Sequence, residues 1–117
     1  IGVSILTSLD ESDSLTLFNN CLNDQIVNLF KLAKKTKIDG IVCSPLELEV
    51  ANRILDSNSI KVTPGIRDIL VKDDQARTMS AKDAIKKGAT FLVIGRPITQ
   101  ASDTALALKN FNTSIYE

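Results

Sequence analysis

The sequence predicts an α/β chain of four parallel strand–helix units, and three observations carry that prediction. Short apolar runs alternate four times with amphipathic helical stretches, the pattern of a parallel sheet covered by helices. The first strand-to-helix turn lacks GxGxxG and the chain lacks GxxxxGK[ST], so the nucleotide-binding versions of a small doubly wound sheet lose support. The last two strands lead into arginine-bearing turns, Val62-Thr-Pro-Gly-Ile-Arg67 and Val93-Ile-Gly-Arg96, and a (β/α)8 barrel commonly binds phosphate at those two loops, beside a short extra helix. With 117 residues against the roughly 250 of a whole barrel, the choice lies between a small doubly wound sheet and half of a barrel, and the turns favour the half-barrel.

Val3 to Leu6 is the first strand, and two helical segments follow the polar stretch Ser8 to Ser14. The longer spans about Asp24 to Lys35, with Asn23 as its N-cap and Ile26, Val27, Phe30 and Ala33 on one face. Gly40 to Cys43 is the second strand. Ser44-Pro-Leu-Glu47 then combines a capping box with proline at the first helical position and opens a helix to about Leu55. Ile60 to Thr63 is the third strand. Pro64 to Ser80 shows no apolar period, and a connection that long is expected to act as a mobile lid. Ser80-Ala-Lys-Asp83 is a second capping box, for a short helix ending at Lys87 with Gly88 as its stop. Phe91 to Ile94 is the fourth strand, Pro97 to Ala101 suits the short extra helix, and Ser102 caps a last helix over Asp103 to Phe111 whose apolar face is Ala105, Leu106, Ala107 and Leu108. The chain opens inside its first strand without an initiator methionine, so it is expected to start mid-protein.

Composition narrows the function. Fourteen lysines and arginines balance fourteen aspartates and glutamates, with no basic field to hold nucleic acid. The absence of histidine removes imidazole catalysis and the commonest metal ligand, and nothing resembles a zinc cluster. Cys21 and Cys43 form neither a CxxC pair nor a disulfide framework, which fits a reduced, cytoplasmic setting. No apolar run approaches a membrane span.

The chemistry-bearing residues cluster at strand ends. Gly95 lets the backbone approach a ligand closely, Pro97 is pre-set for a first helical turn, and Arg96 offers a planar fork of donors suited to phosphate oxygens. Arg67 ends the neighbouring unit and could face the same ligand. Gln75, in the loop between them, could close an amide over phosphate, although a solvated loop amide is the simpler role. Thr7 ends the first strand as either a cap or a hydroxyl aimed at a ring carbonyl or sugar. Capping explains Ser44 in full. Asp10, Glu11 and Asp13 read as a solvated helix start, and Asp73 and Asp74 as loop solvation. No nucleophile–base pair or strand-end Lys/Asp cluster is visible, so the residues speak for phosphate recognition and are silent on bond-breaking.

Taken together, Leu6-Thr-Ser8, Ile38-Asp-Gly-Ile-Val-Cys-Ser44, Val62-Thr-Pro-Gly-Ile-Arg67, Asp74-Gln75 and Val93-Ile-Gly-Arg-Pro-Ile-Thr-Gln100 resemble the bacterial orotidine 5'-monophosphate decarboxylase family, in order and spacing. The resemblance implies the C-terminal half of a (β/α)8 barrel, residues 1–117 being one half of a single domain whose N-terminal half is missing. It implies decarboxylation of orotidine monophosphate to uridine monophosphate in pyrimidine synthesis without a cofactor, in a homodimer. It also implies substrate contacts from Thr7, Arg67, Gln75, Gly95 and Arg96. The family's catalytic Lys/Asp constellation belongs to the N-terminal half, so no catalytic residue is expected here. Asp68 and Asp73 stand where family members tend to carry proline and glycine, and the loop is slightly shorter, which bears on its closing geometry. The rival readings are another phosphate-binding barrel enzyme, of the sugar-phosphate aldolase or synthase kind, and a non-catalytic half-barrel that binds nucleotide phosphates.

Overall fold

A computed structural model describes residues 1–67 and 77–116. Within them β1 (Gly2–Val3), β2 (Gly40–Val42), β3 (Ile60–Thr63) and β4 (Phe91–Leu92) form one parallel sheet in chain order. After β1 come α1 (Glu11–Phe18) and α2 (Leu22–Thr36). A 3₁₀ turn at Pro45–Glu47 runs into α3 (Leu48–Ile54) after β2, and α4 (Ala81–Lys86) precedes β4. The short α5 (Arg96–Thr99) and the long α6 (Thr104–Tyr116) close the chain. The four strand–helix units expected from the periodicity are present. β1 and β4 are shorter than their apolar runs because each is an edge strand with a partner on one side only, so pairing decays into single bonds such as Ser4 N–H to Val42 O at 2.9 Å and Val93 N–H to Thr63 O at 2.9 Å.

Register divides the sheet into two faces. Val3, Val42, Val62 and Phe91 align across all four strands. Alternate positions, Ile41, Lys61 and Thr63, are buried, and the core gathers Ile41 and Cys43 with Ile26, Phe30 and Ala33 of α2 and Leu48 and Ala51 of α3. Side chains on a strand alternate between faces, so the helices cover one face and the valine–phenylalanine row lies on the other. Val3 and Phe91 remain 61% and 58% exposed. In a closed barrel such a row points into the packed interior; here it is an apolar surface whose edge members Val3 and Phe91 are exposed.

The helix ends follow local chemistry, with three departures from the sequence expectations. The Asp10–Asp13 capping box opens α1, each carboxylate accepting the other residue's backbone N–H at 3.0 Å. α2 starts before Asn23, with Cys21 at the N-cap making no side-chain capping bond; Glu11 of α1 instead accepts from Leu22 N–H at 3.1 Å, a cap supplied from outside the helix. α6 is capped by Asp103, whose carboxylate accepts from Leu106 N–H at 2.9 Å, rather than by Ser102, and it runs past Phe111. Its packed stripe is Ala107, Phe111 and Ile115, while Leu106 and Leu108 are 53% and 48% exposed. Four consecutive residues cannot share one helix face, whereas positions four apart can.

Sheet closeness sets one glycine. A β-carbon on Gly40 would lie 2.2 Å from the Ile60 carbonyl oxygen and 2.7 Å from the Ile60 β-carbon, so β2 and β3 can pair in this register only with no side chain there. Gly40→Ala is expected to destabilise the folded protein by about 1 to 3 kcal/mol, the usual cost of overpacking; a urea midpoint equal to that of the unmodified protein would contradict this account of the register.

Candidate functional site

Because the four strands are parallel, the segments leaving their C-terminal ends all emerge on one edge of the sheet. Thr7, Ser44, Arg67 and Gly95–Arg96 each follow a different strand there, as the sequence pattern requires. Gly65 lies where three of these segments meet. Its φ is +76°, and a β-carbon on it would stand 2.8 Å from the Arg77 carbonyl oxygen, 3.6 Å from Pro45 Cδ and 3.8 Å from Thr7 Cγ2. Only glycine adopts that backbone readily, and only glycine leaves room for the approach.

The two ends of the long connection are pinned together. Arg67 N–H donates to Met79 O at 3.1 Å and Met79 N–H to Gly65 O at 3.2 Å, forming a parallel bridge between Ile66 and Met79 that buries Ile66 completely. Gln75, Asp73 and Asp74 lie outside the described residues. Arg67 is buried, with Nη1 donating to Ile66 O at 2.8 Å. It lines a cleft of about 530 Å³ together with Ser80, Lys82 and Asp83 around the start of α4, Pro97 of α5 and Phe111 of α6. Of the second arginine-bearing turn it is Pro97, next to Arg96 in the chain, that lines this cleft.

The turn after β4 has the predicted form, one residue early. Gly95 caps α5 with Pro97 in the first turn, and Ile98 and Thr99 N–H groups both donate to Gly95 O at 2.9 and 3.0 Å. Among the described residues, chain neighbours aside, no heavy atom lies within 4 Å of where a Gly95 β-carbon would be. At the end of β2, Ser44 performs the capping expected of it, its Oγ accepting from Leu46 N–H at 3.2 Å.

Sequence reasoning missed the most buried charges of the site. Glu47 and Arg77 are 5% and 7% exposed and form an ion pair through Oε1 and Nη1. Arg77 Nη2 also donates to Leu6 O at 2.6 Å and Ile5 O at 3.3 Å, beside Thr7. Glu47 Oε2 accepts from Ser44 N–H at 3.2 Å and Ser4 Oγ at 3.4 Å. Burial holds the Glu47 carboxyl above the ordinary carboxylate range, against the opposing pull of Arg77, the Ser44 N–H and the Ser4 hydroxyl. Burial likewise pushes the Cys43 thiol up to about 12, with the Glu47 charge adding to the effect and Lys61 opposing it. Capping accounts for Glu47 in the sequence, and Arg77 belongs to a stretch without periodicity. No local signal joins them. Among the described residues no group of three His, Cys, Asp or Glu side chains could hold a metal ion, and no helix is long and apolar enough to cross a membrane.

The model of the orotidine 5'-phosphate decarboxylase / HUMPS family matches residues 1–111. The chain belongs to this family. Curated orotidine 5'-phosphate decarboxylases of Actinobacillus succinogenes and Haemophilus ducreyi are 42% and 45% identical to it over 98% of the chain, and these alignments cover 50% and 51% of the relatives. The chain therefore spans about half the length of the curated relatives it matches. The crystal structure of the decarboxylase from Lactobacillus acidophilus superposes with a TM-score of 0.75 at 34% identity, over 98% of this chain and 48% of that one. The Pyrococcus horikoshii enzyme, 20% identical, shares the fold with a TM-score of 0.69. These decarboxylases are (β/α)8 barrels, so the half-barrel reading holds and the doubly wound sheet falls away.

The raised Glu47 carboxyl has a consequence for stability in this decarboxylase-family chain. A folded state that holds this proton more tightly than the unfolded chain binds more protons as pH climbs from the ordinary glutamate range, so the contribution of Glu47 to stability falls as pH rises. Glu47→Gln keeps the shape of the side chain and removes its titration. The gap between unmodified and variant proteins should narrow with increasing pH; urea unfolding across pH 4 to 8, a range of about the right span for a perturbed carboxylate, checks it, and a widening gap would contradict the assignment.

Proposed function

We propose that the whole protein decarboxylates orotidine 5'-monophosphate to uridine 5'-monophosphate, and that this chain is the C-terminal half of its single barrel domain, the half that holds the phosphate and the nucleoside. The observation that carries the reading is the coincidence of two things. Identity to named decarboxylases runs along 98% of the chain, and the motifs VTPGIR and VIGRPITQ fall at adjacent strand ends, bordering one cleft.

In this reading Arg67 and Arg96 give charge-assisted hydrogen bonds to the phosphate, Gly95 lets backbone come close to it, Gln75 contacts it from the connecting segment, and Thr7 directs its hydroxyl to the nucleoside. The reaction breaks the bond between carbon 6 and the carboxylate, carbon dioxide leaves, and the electron pair left on the ring takes a proton. The carboxylates and lysine for that step belong to the other half of the domain. Phosphate is remote from the reacting carbon, so gripping it supplies binding energy that can be expressed as assembly of the site in the transition state. We assign no cofactor to the reaction, and read the working form as a cytoplasmic homodimer.

Arg96→Ala in the whole protein should cost about 2 to 4 kcal/mol in kcat/KM for orotidine monophosphate and little for the phosphate-free nucleoside; equal losses with both substrates would make Arg96 structural. The isolated chain should be inactive and should self-associate through its open sheet face and unpaired edge strands. Mixing it with a separately produced N-terminal half is expected to restore turnover, whereas decarboxylation by the chain alone would overturn the division of labour.

A further inference from the structure

We propose that the buried Arg77–Glu47 pair is a positioning device that sets the nucleoside-contacting end of β1 and the phosphate-contacting turn after β3 in one fixed register. The inference rests on the function proposed above. Arg77 reaches both partners at once: Nη1 pairs with Glu47, and Nη2 holds the carbonyls of Ile5 and Leu6, immediately before Thr7. Its own backbone is equally committed, because its carbonyl oxygen packs over Gly65 and the Ile66–Met79 bridge closes two residues further on. Glu47 completes the tie from β2 through Ser44 N–H and reaches Ser4. Three strand ends therefore meet at one residue, two through its guanidinium and the third through its backbone. Arg77 also stands two residues after Gln75 in the chain, so the same anchor fixes where the Gln75-bearing segment rejoins the fold.

Neither residue is assigned a contact with the substrate, and the effect they exert is geometric. A nucleotide is a nucleoside and a phosphate joined by a short covalent link. It gains the full benefit of both subsites only if their separation matches that link. Removing the tie leaves each subsite in being but lets their separation drift. Loss should therefore appear for the joined ligand and be small for its separate parts, which general destabilisation would not produce.

The test is made in the whole protein, by calorimetric titration of uridine monophosphate, uridine and inorganic phosphate against Arg77→Gln, Glu47→Gln and the double variant. Affinity for uridine monophosphate is expected to fall roughly ten- to hundredfold, the scale of a misplacement of about 1 Å, with uridine and inorganic phosphate near their unmodified affinities. The double variant should lose no more than the worse single one, as members of one network do. Arg77→Lys keeps a charge facing Glu47 but cannot reach the β1 carbonyls with a second arm; it serves if Arg77→Gln does not fold, and should show a smaller loss of the same selectivity. Equal weakening of all three ligands, or an unchanged affinity for uridine monophosphate, would overturn the proposal. If the unmodified whole protein fails to bind uridine monophosphate, the functional reading itself fails and this inference with it; an unmodified protein that binds beside unaffected variants removes the inference alone.

Discussion

Glu47 and Arg77, thirty positions apart in the chain, meet under the C-terminal edge of the sheet, and the arrangement of the strand ends depends on that meeting. Two charges taken out of water are costly unless every lone pair and proton finds a partner. Here the Glu47 carboxylate draws on Arg77, Ser44 and Ser4, and the guanidinium draws on two further carbonyls, with only its Nε finding no partner among the described residues. The pair contributes geometry first: a salt bridge in such surroundings is weak evidence for net stability, but breaking it strands a buried charge. That asymmetry makes the contact hard to lose and gives three separate loops one reference point.

Above that reference point the site is built from backbone as much as from side chains. Gly65 and Gly95 stand at the ends of β3 and β4 for different reasons. Gly65 is held at positive φ against a neighbouring carbonyl, while Gly95 meets no described residue on the side where a side chain would project. One closes the protein on itself and the other does not. The arginines divide in the same way. Arg77 is committed to the protein interior, whereas Arg67, though buried, borders the cleft between α4, α5 and α6.

The other face of the sheet explains why this chain corresponds to half of its relatives in structure as well as in length. Helices cover the side that carries Ile41 and Thr63, but the row Val3, Val42, Val62 and Phe91 has no layer above it among the described residues. A closed barrel resolves both the uncovered row and the edges of β1 and β4, because its own remaining strands fill the interior and pair the edges. The superposition on whole decarboxylase barrels, over about half of each, matches that geometry.

The sequence by itself determined the order of the four units, the helix start at Asp10 to Asp13, the capping box at Ser44, the N-cap at Ser80, the strand Ile60–Thr63 and the turn at Gly95–Pro97. Each of these rests on interactions within a few residues, where periodicity, capping and proline geometry act directly. Local chemistry also led astray where two caps competed: Asp103 displaced Ser102, and Glu11 reached across from α1 to cap α2. Only the tertiary structure decided the rest. The pairing of Glu47 with Arg77, the Ile66–Met79 bridge and the cleft shared by the two arginine turns join positions far apart in the chain. Such contacts exist because parallel pairing carries every strand end to the same edge, and no pattern within a short window of sequence records which side chains will then be close enough to touch.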